Sequence, residues 1–363
     1  METKSFLISK ALATNVPALL WGEPGVGKTA RLAAFARETG FAFFPVVLSH
    51  YDPVEFHGVL TVDPATRRVH RALPDWAGPE VFDPEVDSII FLDELSTSTP
   101  AQQAAALKLL SERELGGRKL SSRCRIIAAA NPPECAAGGQ DLVAPTANRF
   151  AHIRVGADAA DFAAHFPSMW ADCGSGLAQL PEPSEEERIR ARALIAAFLQ
   201  RRPNLLHAMP QDPLQQGGPW PSPRSWELCS RLMAGETDSE RILAAAAATV
   251  SEAAAVELAA FLRDANIPDP ESVLADPESA PIPGRGDILY AAISGAAAAA
   301  VARPSRERVR AAWVYLRRVA EAGHADVCGP VIRPLVQGGG QHFSPVSEPS
   351  LLAPFRRVLD AAK

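Results

Sequence analysis

Over residues 1–156, short apolar runs alternate with stretches of helical period. Pro17–Trp21, Phe41–Leu48, Ser88–Leu92, Arg125–Ala130 and His152–Val155 are short, apolar and bounded by turn or polar residues, the pattern of strands buried on both faces. Between them, Lys28–Thr39 and Pro100–Arg113 place apolar residues at helical spacing. This alternation predicts an α/β fold with a parallel, doubly wound sheet. After residue 157 the pattern becomes helical. Ser184 and Glu187 have the S-x-x-E spacing of a capping box and predict a helix over Ser184–Arg202, stopped by Pro203. Pro203–Pro223 reads as a loop, and Arg224–Ala234, Asp238–Val250 and Glu252–Asp264 as three helices. A second Pro-rich loop, Ile267–Gly286, precedes helical patterns at Asp287–Arg303, at Ser305–Ala322 and near Ser350–Ala362. The expected organisation is an α/β domain over 1–156, an all-α domain over 157–266, and a linker with a helical extension over 267–363.

Composition narrows the function classes. The 363 residues include 36 Lys+Arg against 42 Asp+Glu, a net charge of −6. A mildly acidic chain counts against tight non-specific nucleic-acid binding, though a local basic patch is compatible with it. No run reaches the ~18 strongly apolar residues of a membrane span. The Met1 end has no apolar leader core ahead of a small-residue cleavage site, so no membrane association is expected. Cys124, Cys135, Cys173, Cys229 and Cys328 are odd in number and lack a C-x-x-C pair. They argue against a disulfide framework or a zinc site, and for a reducing cytoplasm. The eight His form no H-x-x-x-H or H-E-x-x-H pair and no G-x-S-x-G occurs, which gives transition-metal and serine-hydrolase chemistry no support.

One segment carries strong chemistry. Gly22-Glu23-Pro24-Gly25-Val26-Gly27-Lys28-Thr29 matches G-x-x-x-x-G-K-[ST] between a predicted strand and a predicted helix. In such a loop, backbone N–H groups and the helix N-terminus face phosphates. Lys28 would reach the β- and γ-phosphates and Thr29 would ligate Mg²⁺. Ile89–Leu92 is an apolar strand ending in Asp93 and Glu94. At the carboxyl end of a parallel strand both acids would lie beside that loop. Asp93 would hold the metal, and Glu94 would polarise the attacking water. Asn131 follows a third buried strand and can bond both a γ-phosphate oxygen and that water. Arg149 ends a helical turn just before His152–Val155, where an ordinary surface arginine is the plain alternative. Arg224 opens a helix, where the macrodipole disfavours a cation by ~0.3–1 kcal/mol unless an anion is near.

In this order the features resemble the AAA+ ATPases, and within them the MoxR-like group. The resemblance covers residues 16–235 and implies Walker A at Gly22–Thr29, Walker B at Ile89–Glu94, sensor 1 at Asn131, an arginine finger at Arg149 and sensor 2 at Arg224. It implies an AAA+ P-loop NTPase core followed by an all-α lid, with ATP and Mg²⁺ as cofactors. It further implies a hexameric ring in which Arg149 completes the neighbouring subunit's site and Arg224 of the lid is pinned to the phosphates until hydrolysis. A protein client, remodelled in chaperone fashion, and a separate partner with a von Willebrand factor A domain belong to the same expectation. Two departures stand out: Asp93-Glu94-Leu95-Ser96-Thr97-Ser98 replaces the DEINRA-like text usual in that group, and Asn148 stands where an Asp often precedes the finger.

Two β-prone runs within 57–74 flank an Asp63-Pro64-Ala65-Thr66 turn and predict a hairpin. Its place matches the helix-2 insert of the MoxR-like group, which tends to face the ring pore. Gly116-Gly117 predicts a second hairpin. Arg67, Arg68 and Arg71 make the first one basic, which suits a protein partner, a nucleic acid, a brace between subunits or no ligand. A nucleic-acid motor, as in the MCM-type relatives, is the alternative function.

Overall fold

The computed structural model describes residues 2–132, 142–159, 175–264 and 267–355, with Cys135 and Ala163. Trp170, Cys173 and the end of the helix expected near Ser350–Ala362 lie outside the described residues. Contacts divide the chain into two compact units, residues 1–182, 207–232 and 237–255, and residues 183–206, 233–236 and 256–363.

The first unit is built on a parallel sheet. Its strands are β1 (Ala18–Trp21), β2 (Ala42–Val47), β5 (Ser88–Asp93), β8 (Cys124–Ala130) and β9 (Ala151–Arg154), in the order β2–β5–β8–β1–β9. The interior strands β5 and β8 are buried along almost their whole length, as their unbroken apolar runs require. Pairing sets Trp21 opposite both Ala130 and Arg154, and Val47 opposite Asp93. Helices α1 (Thr3–Thr14), α2 (Lys28–Thr39), α3 (Pro53–His57), α4 (Pro100–Glu112) and α5 (Ala144–Ala147) also belong to this unit. Thr99 and Gln102 cap α4 reciprocally, with Pro100 in its first turn. The sequence shows no leader core over this stretch and gives no periodic signal for α1. Ser5–Thr14 are all buried, so α1 shows no amphipathic stripe to betray it.

Two antiparallel ribbons leave this core: β3 (Val59–Val62) with β4 (Val69–Ala72), and β6 (Glu114–Leu115) with β7 (Arg118–Lys119). Both predicted hairpins are present. Asp63 shapes the first turn by accepting from Ala65 N at 2.8 Å and the Thr66 hydroxyl at 2.6 Å. Leu60, Val62 and Val69 on this ribbon are 61–64% exposed, and Arg67, Arg68 and Arg71 are exposed beside them.

The remaining helices are α6 (Glu185–Arg201), α7 (Pro213–Gln216), α8 (Pro223–Met233), α9 (Ser239–Val250), α10 (Glu252–Asp264), α11 (Pro270–Ala275), α12 (Gly286–Ala302), α13 (Arg306–Val319) and α14 (Ala325–Gly339). They do not follow the expected boundaries at 156 and 266. Helix α9 packs on α1 and β9 and belongs with the sheet. Helix α6 packs instead on α12 in the second unit, where alanines on both helices (Ala191 and Ala197, Ala292 and Ala296) are buried. Helices α11 and α14 are also corrections. The first lies within the expected loop 267–286, and the second runs through Pro330 and Pro334. Cys328, Val331 and Leu335 give α14 an apolar stripe facing the core, and that burial overrides the proline penalty. The terminal stretch forms 3₁₀ turns at Pro349–Leu351 and Ala353–Phe355. No described helix is long and apolar enough to cross a membrane.

A buried link joins β1 to β9. The Trp21 indole N–H donates to His152 Nδ1 at 2.9 Å, so the ring proton sits on Nε2, which faces the Ala147 carbonyl oxygen at 2.9 Å. Burial pushes the His152 pKa down to about 4. The unfolded chain therefore takes up this proton first as the pH falls below 6.5. Stability from the neutral ring is full above 6.5 and drains away towards pH 4, by about 3 kcal/mol. Urea unfolding across this range should lose most of that slope in His152→Gln, and an unchanged slope would contradict the assignment.

Candidate active site

Three adjacent strand ends build the site. Trp21, Ala130 and Asp93 close β1, β8 and β5, and the next residues are Gly22, Asn131 and Glu94. The phosphate loop occupies 22–27. Gly25 and Gly27 take φ of 83° and 84°, which favours glycine. Gly22 is needed for room, since a Cβ there would lie 2.4 Å from the Val155 carbonyl oxygen. Gly27 N-caps α2 without a side chain. The first-turn N–H groups of α2 are left for an anion, which the helix dipole also favours.

Lys28 is buried and folds back on the loop. Its Nζ donates to Gly22 O at 2.6 Å, Glu23 O at 3.3 Å and Asn131 Oδ1 at 2.9 Å. Burial pushes the Lys28 pKa down, while Glu94 and Asp93 pull it back up. The Asn131 amide continues the chain, its Nδ2 donating to Glu94 Oε2 at 3.0 Å. A cation on one side and a carboxylate on the other leave only one orientation for that amide. Beside it, the Thr29 hydroxyl donates to Asp93 Oδ2 at 2.7 Å, and Asp93 Oδ1 accepts from Glu94 N at 2.9 Å. Glu94 itself has φ 54°, a left-handed backbone that costs a non-glycine residue ~1–3 kcal/mol. Thr97 holds the turn there, its N and hydroxyl donating to Glu94 O at 3.0 and 2.8 Å.

Ser96 is a site residue that the sequence did not single out. Its hydroxyl accepts from the backbone N of Asn131 at 3.1 Å and so anchors the residue whose side-chain amide touches both Lys28 and Glu94. The only signal was the unusual Leu95-Ser96-Thr97-Ser98 text after the acids.

Lys28, Thr29, Asp93, Glu94 and Asn131 are thus brought together; Arg149 and Arg224 stand apart from them. Arg149 precedes the first residue of β9, whereas the phosphate loop begins beside Val155 at the far end of that strand. At ~3.3 Å per residue the two ends are separated by ~13 Å or more. Arg149 donates to the Ser111 hydroxyl and to Pro145 O. Ser111 lies twelve residues along α4 from its Thr99 cap, ~18 Å from the end nearest the acids. Arg149 is half-buried, and burial followed by the like charge of Arg224 pushes its pKa below the ordinary arginine range. Arg224 is exposed at the start of α8. Its like charge acts on the finger candidate Arg149.

Residues 18–139 match the model of the ATPase family associated with various cellular activities (AAA). No curated protein gives a significant match to the chain. Among solved structures the chain is similar to one described as a “putative ATPase” from Cytophaga hutchinsonii, at 16% identity and a TM-score of 0.42, over 68% of this chain and 80% of the other. The matched segment spans the phosphate loop, both acids and Asn131, and a helical region follows the sheet. Residues 18–139 are an AAA ATPase domain, and the chain that carries them hydrolyses ATP.

Proposed function

We propose that this ATPase is a ring-forming remodelling machine, of the MoxR-like kind, that turns nucleotide-dependent contacts between copies of the chain into work on a protein client. The observation that carries the reading is the position of Arg149, at the opposite end of β9 from its own phosphate loop. An arginine there serves a triphosphate bound by another copy. Head-to-tail contacts of this sort close into rings, six-membered in the MoxR-like case.

Within one site the roles follow from the bonds already made. ATP phosphates would lie on the loop N–H groups, and Lys28 would exchange its carbonyl partners Gly22 and Glu23 for phosphate oxygens. Asn131, released from Lys28, would turn its amide to the γ-phosphate and the attacking water. Glu94 would polarise that water and accept its proton, giving ADP and phosphate. The Thr29 hydroxyl and Asp93 carboxylate converge within 2.7 Å of each other, a donor set that fits a hard, oxygen-seeking cation such as Mg²⁺. When bound, that ion would neutralise charge on the β- and γ-phosphate oxygens. Arg149 from the next copy would stabilise the charge on the transferred phosphoryl group.

The exposed ribbon β3–β4 is the surface offered to a client. Its apolar side chains Leu60, Val62 and Val69 suit a polypeptide better than a phosphodiester backbone. The nucleic-acid alternative rests on Arg67, Arg68 and Arg71 and requires ATPase stimulation by DNA or RNA that weakens steeply with salt. A separate protein with a von Willebrand factor A domain, and a cytoplasmic setting, belong to the MoxR-like reading.

Lys28→Ala should weaken ATP binding about 10- to 100-fold, the loss of charge-assisted hydrogen bonds. Glu94→Gln should bind ATP as wild type does, yet turn over about 10²- to 10⁴-fold more slowly. Equal nucleotide binding by wild type and Lys28→Ala in a titration would overturn the loop assignment. Arg149→Ala should cost ~10³-fold in turnover, and mixing it with Glu94→Gln should restore part of the activity, because each copy supplies what the other lacks. No recovery at any mixing ratio would rule out a finger acting on a neighbour.

A further inference from the structure

Two segments far apart in sequence meet behind the arginines. The Ser222 hydroxyl donates to Asn148 Oδ1 at 2.6 Å, and Asn148 Nδ2 donates to Trp220 O at 3.1 Å. Ser225 completes the knot: its hydroxyl donates to Trp220 O at 2.8 Å and accepts from Ser222 N at 2.8 Å, and its N donates to the Ser222 hydroxyl at 3.1 Å. Asn148, Ser222 and Ser225 are all at least 95% buried. Each is next to, or two residues from, an arginine that is not: Asn148 precedes Arg149, and Ser222 and Ser225 flank Arg224.

Buried polar groups are costly unless paired, so a fully paired knot of neutral side chains specifies one arrangement of the segments it joins. Here that arrangement brings two cations together, against their mutual repulsion, at the end of the sheet remote from the chain's own phosphate loop. Neither arginine forms an ion pair with a carboxylate among the described residues. An asparagine suits the first position better than an aspartate, because only the amide can both accept from Ser222 and donate to Trp220 O.

We propose that Asn148 and Ser222 are positioning residues that hold Arg149 and Arg224 as one cationic pair, presented to the triphosphate bound by a second copy of the chain. The proposal rests on the reading that Arg149 acts on a neighbour. It adds that Arg224 acts with it there, not on the chain's own nucleotide, and that the amide of Asn148 sets the pair's geometry.

Asn148→Ala in the full chain should lower kcat tenfold or more, yet leave the affinity of its own site for a fluorescent ATP analogue within twofold of wild type. Its own chemistry is intact, so adding Glu94→Gln copies, whose arginine pair is whole, should restore turnover at the Asn148→Ala sites. A general packing defect would not be cured in this way. Ser222→Ala removes one of the two bonds and should give a smaller loss with the same rescue, which keeps the test open if Asn148→Ala does not fold. Wild-type kcat in both variants, weakened nucleotide binding, or no rescue at any ratio would overturn the clamp. If Arg149→Ala also shows no rescue, the neighbour-acting finger itself fails. If Arg149→Ala is rescued and the Asn148 and Ser222 variants have wild-type kcat, only the clamp fails.

Discussion

The amide of Asn131 is the interaction on which the site depends. It stands between a buried ammonium and a carboxylate, accepting from Lys28 and donating to Glu94. Without a neutral group between them, Lys28 and Glu94 would be drawn into a direct ion pair, and neither would be free for phosphate or water. With it, each has a partner that can be given up when a stronger one arrives. The bridge requires β8 to lie between β1 and β5, with the three strand ends within about one residue of each other, and the sheet order and register supply this. The long buried runs of β5 and β8 serve chemistry in that sense: they fix a distance of one hydrogen bond at their tips.

Charge is arranged differently at the two ends of the sheet. Around the phosphate loop, Lys28 is balanced by Asp93 and Glu94. At the other end, Arg149 lies under the repulsion of Arg224. A like-charged pair gains most from an anion brought by something else, and the gain depends on the charge of that anion. A triphosphate and a diphosphate therefore bind such a pair unequally, and only unequal binding can shift a conformational equilibrium. In the proposed ring this would make each contact between copies a sensor of the nucleotide next door.

Much of this was legible in the sequence because it is local. The phosphate loop is one contiguous motif, the acids end one apolar run, and Asn131 ends another; parallel pairing then sends all of them to the same edge. The helices α2 and α4 carry both period and end signals. Elements without such marks were missed. Helix α1 is buried on every side, and α14 hides behind two prolines. The pairing of Arg149 with Arg224 could not be read, because it depends on a hydrogen bond between residues 74 apart in sequence. The departures noted at Asn148 and Ser96 sit where side chains bond the segments that carry the candidate site residues.

Those bonds also bear on how motion could be transmitted. The resemblance made Arg224 part of a lid that closes on its own nucleotide. Residues 223–232 of α8 instead belong with the sheet, and Arg231 of that helix donates to Thr14 O and Asn15 O at the end of α1. A swing of Arg224 towards its own phosphate loop would break those bonds together with the buried knot at Asn148, exposing several polar groups to poor alternatives. Rigid movement of the whole first unit against a neighbouring copy breaks none of them. In the proposed ring, the less costly path would be the one in which both arginines travel as a block, approaching or leaving a triphosphate that another copy holds.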